Sequence, residues 1–205
     1  MAMTAILEAE DPRVVRTRDL LKGAMVALMR EKSWREISVG DITQRATVNR
    51  TTFYAHFDDK DALLESCLRD KCRRALAEVG SLRRDRVGED LRRLVGAVFE
   101  FFAQLPIQCP IAIRQWEPIV VRAMQEELER MLGCWLGQIA SPNSQADRGA
   151  IVAALSGAIV ASGVRWLRRD ESLSTQQGAD SVAAMLLPGV LALRPSEELM
   201  PRSRE

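Results

Sequence analysis

Arg50, Thr51, Thr52, Tyr54 and His56 fall within one short stretch, RTTFYAH, and Lys60 follows closely. A guanidinium can bond a guanine edge through two donors, and a threonine can bond a base or touch a thymine methyl. Tyrosine and histidine commonly hold phosphate oxygens. If Val48 and Phe53 face inward on a helix, then Arg50, Thr51, Thr52, Tyr54 and Ala55 turn wholly or partly away from the core. That set suits a DNA groove, and the plain alternative is an ordinary polar surface helix. His56 is the single histidine, and no Ser, Cys or Asp stands at a motif spacing that would make it a nucleophile's base. An enzyme therefore has no supporting residue set, no Gly-rich phosphate loop is present, and no cofactor is expected.

The four cysteines, Cys67, Cys72, Cys109 and Cys134, form no C-x-x-C pair, so with one histidine a zinc cage is hard to assemble. Four buried, reduced thiols are the default expectation. Cys67, two residues from Arg69, is the alternative, a redox sensor, and that would require exposure and a lowered pKa.

The elements that position the reactive stretch are helical. Apolar residues recur at three and four, and hairpin dipeptides are missing. Asp11-Pro12 opens a first helix with an apolar stripe of Leu20, Leu21, Ala24, Met25 and Leu28, ending near Lys32-Ser33. Ser38 with Asp41 forms a capping box for a second helix over about 39–45. After a tight connection at 46–48, Asn49 caps a third helix reaching about His56, and Asp58 with Asp61 caps a fourth that continues toward Val79. Residues 39–57, VGDITQRATVNRTTFYAHF, thus have the spacing of a helix-turn-helix. Charged, glycine-bounded Ser81–Gly88 reads as the joint to a second domain, with helices over about 89–104, 118–139, 146–169 and 176–193, and Ser174 with Gln177 forms another capping box. Pro106 and Pro110 mark an irregular or helical piece between the first two of these.

Of 205 residues, 47% are hydrophobic and 28% charged, enough for one or two small domains with a proper core. Twenty-nine bases against 28 acids give +1, which excludes a polycation coating nucleic acid by charge alone. Nine bases and four acids over Arg13–Phe57 leave +5 there and −4 elsewhere, an electrostatic footprint for phosphate placed on the helix-turn-helix. Residues 1–11 carry acids and no positive side chain, unlike a secretory signal, so the chain is read as cytoplasmic. Gly149 to Val164 is uncharged for 16 residues, short of the ~20 of a spanning helix, so a buried soluble helix and no membrane are expected.

The residues Arg16-Thr17, Ile37-Ser38-Val39, Asp41-Ile42-Thr43, the run from Ala46 to Tyr54, and the run from His56 to Leu64 resemble the tetracycline-repressor (TetR) family. The resemblance covers about fifty residues. It implies an all-α fold in which residues 1–80 form the DNA-binding domain and residues 85–195 form a helical-bundle dimerisation and ligand domain. It also implies a homodimeric transcription regulator, usually a repressor, whose small-molecule effector weakens its grip on double-stranded operator DNA. Arg50, Thr51 and Thr52 would then enter the major groove, while Tyr54, His56 and Lys60 would bond phosphates. Ser38, heading the second helix, is counted with the DNA-binding set. Two positions depart from the family. Thr47 stands where glycine is usual and, being β-branched, disfavours positive φ. Gly40 supplies no side chain where some relatives use one, shifting base reading to the third helix.

Gly149, Ala153, Gly157 and Ala161 repeat at four, a ridge of small residues that allows close helix approach. In the family the last two helices form a four-helix bundle across a two-fold axis, so Ala153, Gly157, Ala161 and Ala183 are the expected interface. The same ridge could instead pack inside one subunit. Effector contacts are sought among Phe99, Phe102, Ile113, Trp116, Met124, Met131, Trp135 and Trp166, with Arg114, Gln115 and Glu117 as polar anchors, although such residues commonly serve as plain core. Two rivals stay open: a ligand-binding or interaction protein that keeps the fold without operator recognition, and a helical-bundle enzyme.

Overall fold

The computed structural model describes residues 11–108, 113–139, 147–167 and 174–194, and among these it contains helices and no strand. Helix α1 spans Pro12–Glu31; the Asp11 carboxylate accepts from the Arg13 amide at 2.9 Å, and Pro12 sits where no amide partner is required. It buries Leu21, Ala24, Met25 and Leu28, whereas Leu20 is 46% exposed, so the inward stripe is narrower than expected. A single 3-10 turn, Trp34–Glu36, leads into α2, Val39–Ala46. Helix α3 is Arg50–Tyr54, ending two residues before the predicted His56. Helix α4 is Lys60–Ala77, capped by Asp59 rather than Asp58: the Asp59 carboxylate accepts from the Ala62 amide at 2.7 Å.

Helices α5 (Val87–Gln108), α6 (Ile113–Ile139), α7 (Arg148–Leu167) and α8 (Thr175–Leu191) build the second half, and α8 opens on the expected Ser174–Gln177 capping box. Prolines broke these helices less than expected. Helix α5 continues through Pro106, and α6 begins five residues before Pro118. Pro118 and Pro188 lie inside helices on exposed sides, where a carbonyl deprived of its amide partner can bond water. Pro110 lies outside the described residues.

The N-terminal core gathers Leu21, Met25, Trp34, Ile37, Ile42, Phe53 and Leu63. The C-terminal core gathers Leu91, Leu94, Val98, Phe99, Phe102, Leu128, Trp135 and Ile159. Helix α4 packs against α1 on one side and against α5 and α6 on the other, and its Leu68, Cys72 and Leu76 make the two cores continuous. Ion pairs reinforce this spine, with Arg73 to Glu127 at 2.9 Å and Lys22 to Asp70 at 2.6 Å. The connector between α4 and α5 is tied down at Arg83. Its amide donates to buried Asp90 at 2.5 Å and its carbonyl accepts from Trp135 Nε1 at 3.3 Å.

Candidate nucleic-acid interface

Two short helices meet at a turn that one residue defines. Thr47 has φ 57° and ψ 43°, the left-handed region, and is the single non-glycine residue with positive φ among the described residues. Its amide reaches the Gln44 carbonyl at 3.2 Å, and the Val48 amide reaches the Thr43 carbonyl at 3.0 Å, closing the end of α2. The threonine thus adopts the conformation that glycine would take freely. At the other end of α2, the Ser38 hydroxyl donates to Asp41 at 2.6 Å and accepts from the Asp41 amide at 3.1 Å. Hydrogen bonds from Ser38 and the Lys32 ammonium hold the Asp41 carboxyl well below the usual carboxylate range. Ser38 is therefore a helix cap, exposed at the head of α2.

Helix α3 presents what its sequence promised. Phe53 is fully buried, Val48 is half-buried, and Arg50, Thr51, Tyr54 and Ala55 are exposed. Tyr54 is 57% exposed, its ring set edge-on against Phe53 with centroids 5.3 Å apart. Thr52 is less free: Asn49 accepts from its amide at 2.7 Å and from its hydroxyl at 2.8 Å. His56 is half-buried in the turn after α3, its amide donating to the Phe53 carbonyl at 2.9 Å. Around these groups Arg13, Arg16, Arg30 and Arg35 are exposed, while Arg45 forms a bidentate pair with Glu31 at 2.6 and 2.8 Å.

Lys60 does more than sequence reasoning assigned to it. Its ammonium donates to the Trp34 carbonyl at 3.0 Å and the Ile37 carbonyl at 2.8 Å, and lies 4.5 Å from the centre of the Trp34 ring. Two of its three protons thereby bind the α1–α2 connector to the first turn of α4. The Trp34 ring also meets Trp116 of α6 edge-on, centroids 5.6 Å apart, so α6 touches the connector that sets α2.

The family model described as bacterial regulatory proteins, tetR family, matches residues 20–67, the segment containing α2, α3 and Lys60. Residues 20–67 thus carry the N-terminal module of the TetR family. A curated relative of Bacillus subtilis, the HTH-type transcriptional regulator YxbF, is 38% identical over 63 residues, which are 30% of this chain and 17% of that protein. The match thus spans under a fifth of that regulator's length. Among solved structures, a TetR transcriptional regulator from Streptococcus agalactiae superposes with a TM-score of 0.55 at 19% identity, covering 86% of this chain and 97% of that one. The TetR family repressor AlkX from Dietzia sp. gives 0.56 at 13% identity, covering 86% and 98%. These likenesses extend the TetR fold to the C-terminal half.

There, Phe99, Phe102, Met124 and Trp135 are at most 1% exposed and Trp116 is 5% exposed, so all five are packed core. Phe99 and half-buried Trp166 lie ring to ring at 5.8 Å, Met131 is partly buried against the core, and Glu117 is half-buried. The side chains of Ile113, Arg114 and Gln115 lie outside the described residues. A surface groove of about 540 Å³ is lined instead by Val79, Arg92, Arg93, Gly96, Glu100 and Gln176, among others. The small-residue ridge divides: Ala153 and Ala161 are exposed and Gly157 is half-buried, but Ala183 is 1% exposed. Ala183 is covered by its own chain and cannot meet a partner. The outward residues of α8 include Ala184, Met185, Pro188 and Leu191.

Helix α7 departs from the buried helix expected. Arg148–Trp166 is long and apolar enough to cross a membrane by length and composition, with mean hydropathy 1.5, yet only 28% of that window is buried within the chain. Leu155, Ser156, Ile159, Val160 and Gly163 face the core; Ala150, Ala153, Ala154 and Ala161 do not. The thiols also differ from the default. Burial pushes Cys67 and Cys72 up to about 12, opposite to the lowered pKa that a sensor at Cys67 would need, while Cys134 is exposed and Cys109 lies outside the described residues.

Proposed function

We propose that the chain is a cytoplasmic, homodimeric repressor that reads operator DNA through Arg50 and Thr51, grips phosphate through Tyr54 and His56, and releases the operator when a small molecule binds its C-terminal domain. The observation that carries this reading is the face of α3. A guanidinium, a hydroxyl and a phenol are exposed side by side on a helix whose buried side is fixed by Phe53 and whose entry is fixed by Asn49. The second copy is supported by α7, an apolar helix that no described element covers on its outer side. Pairing the α7–α8 faces of two chains would set two recognition helices to span successive major grooves, about 34–36 Å apart. The effector would act against the cluster of Phe99, Phe102 and Trp166, because α5, α7 and α8 meet there and α5 also packs on α4. By binding one arrangement of the dimer better than the other it would shift the population away from the DNA-competent spacing.

Gel shifts on the DNA upstream of the chain's own gene test the reading. Wild-type protein should select a site over random duplex. Arg50→Ala should cost about 1–3 kcal/mol and relax base preference, whereas Tyr54→Phe should weaken all duplexes alike. Wild-type selectivity in Arg50→Ala would refute the role given to this helix.

A further inference from the structure

Gly40 stands in the first turn of α2, and nothing about its backbone requires glycine: its φ is not positive, and α2 continues through it. A glycine inside a helix is less stable than alanine there. What the position provides is space. A Cβ added at Gly40 would lie 2.9 Å from Arg50 Nη2 and 3.9 Å from Arg50 Cζ, with Ser38 Oγ at 3.4 Å, and the first of these is closer than real Cβ contacts come. The guanidinium at the head of α3 is therefore laid over the bare backbone of α2, beside the Ser38 cap.

We propose that Gly40 is a specificity-determining position, because the space above its Cα seats the Arg50 guanidinium and fixes the direction in which its donors meet the base edge. This rests on the reading that Arg50 contacts bases. A bidentate contact to a guanine demands that the planar fork be held within about 0.5 Å and 10–20° of its productive pose. A long, exposed arginine does not achieve that alone, and a seat on a neighbouring helix restricts it. The clash that a side chain would create involves only the far end of a flexible residue, so the guanidinium would yield and α2 would stay in place. Glycine at this position thus acts through Arg50.

The test compares wild type, Gly40→Ala, Arg50→Ala and the double variant, each as the full chain, on a randomised duplex library at one salt concentration. Gly40→Ala should raise the melting temperature by about 2–4 °C through helix propensity. It should also reduce selection about tenfold at the base position that Arg50→Ala relaxes, and nowhere else. In the Arg50→Ala background it should change no preference. Unchanged preference in Gly40→Ala, while Arg50→Ala is relaxed, overturns the role of Gly40 and leaves base reading by Arg50 standing. A lower melting temperature, or an equal shift in the Arg50→Ala background, overturns it too, by showing that α2 itself moved. Wild-type preference in Arg50→Ala, or no selection by wild type, overturns both readings.

Discussion

Around α3 the exposed side chains are Arg50, Thr51 and Tyr54, and the backbone ends are closed locally, by Asn49 before the helix and by the Thr47 turn before that. Along α7 and α8 the exposed side chains include Ala153, Ala154, Ala161, Ala184, Met185 and Leu191, with the polar Arg165, Gln176, Gln177 and Ser181 toward the helix ends and edges, on helices whose opposite sides are packed. The first surface is polar and at rest in water. The second leaves apolar area uncovered, which association can remove from solvent at ~25 cal/mol per Å². The surface proposed to read DNA is thus complete in one chain, whereas the surface proposed to dimerise is legible as a deficit, an apolar face that its own chain leaves uncovered.

That contrast is broken most forcefully at Met185, which is 63% exposed in the single chain. Met185→Glu should barely alter the fold of a subunit, since an exposed substitution usually stays within about 0.5 kcal/mol. At the proposed interface it would strand a desolvated charge, at a cost of several kcal/mol to association. The expected outcome is a monomer by sedimentation velocity at micromolar protein and a loss of at least about a hundredfold in operator affinity, because two half-sites would no longer be held together. A Met185→Glu protein that remains dimeric, or a wild-type protein that is monomeric at the same concentration, defeats the pairing of α7–α8 faces.

The next effect lies within the recognition module. Lys60→Ala removes the donor to the Trp34 and Ile37 carbonyls and the cation from the Trp34 ring. Hydrogen bonds from a charged group are worth about 1.5–3 kcal/mol, so thermal denaturation should report a loss of that order. If Lys60 served phosphate alone, stability would hold and the salt dependence of DNA binding would flatten by about one ion instead. The two outcomes separate a clamp from a phosphate contact at a residue the family resemblance assigned only to phosphate.

How much of this was readable beforehand follows from the range of the interactions. Ser38–Asp41, Asn49–Thr52 and Ser174–Gln177 are separated by three residues, so their capping geometry is written in consecutive sequence and was read correctly. The outward side of α3 followed from helical periodicity once Phe53 faced inward. The partners of Lys60 lie 23 and 26 residues away, and no spacing rule connects them. The split of the alanine ridge was likewise hidden. A face of small residues can meet its own chain or another, and here the small residues point both ways: Ala183 and Gly163 turn inward, the latter with room only for a hydrogen beside Phe102, while Ala153 and Ala161 turn outward. Large apolar residues at helical spacing, Phe99, Phe102, Met124 and Trp135, carry no sign of whether they fill a core or line a pocket, and all four are packed. Prolines misled because the rule against them weakens near helix ends and on exposed sides.

The smallest expected effect sharpens the comparison at the turn. Thr47 holds φ 57° without glycine's freedom, and an L-residue there stands about 1–2 kcal/mol above its preferred conformations. Thr47→Gly relieves that strain but also loosens the unfolded chain, which offsets about 0.4–1 kcal/mol of the gain. The net should be a stabilisation of roughly 0.5–1 kcal/mol, visible as a small rise in melting temperature with operator preference unchanged, since the recognition residues begin beyond the turn. An equal or lower melting temperature would mean that the threonine side chain, exposed as it is, contributes enough to hold its own unfavourable backbone. The recognition module would then depend on one more local contact than its hydrogen bonds reveal.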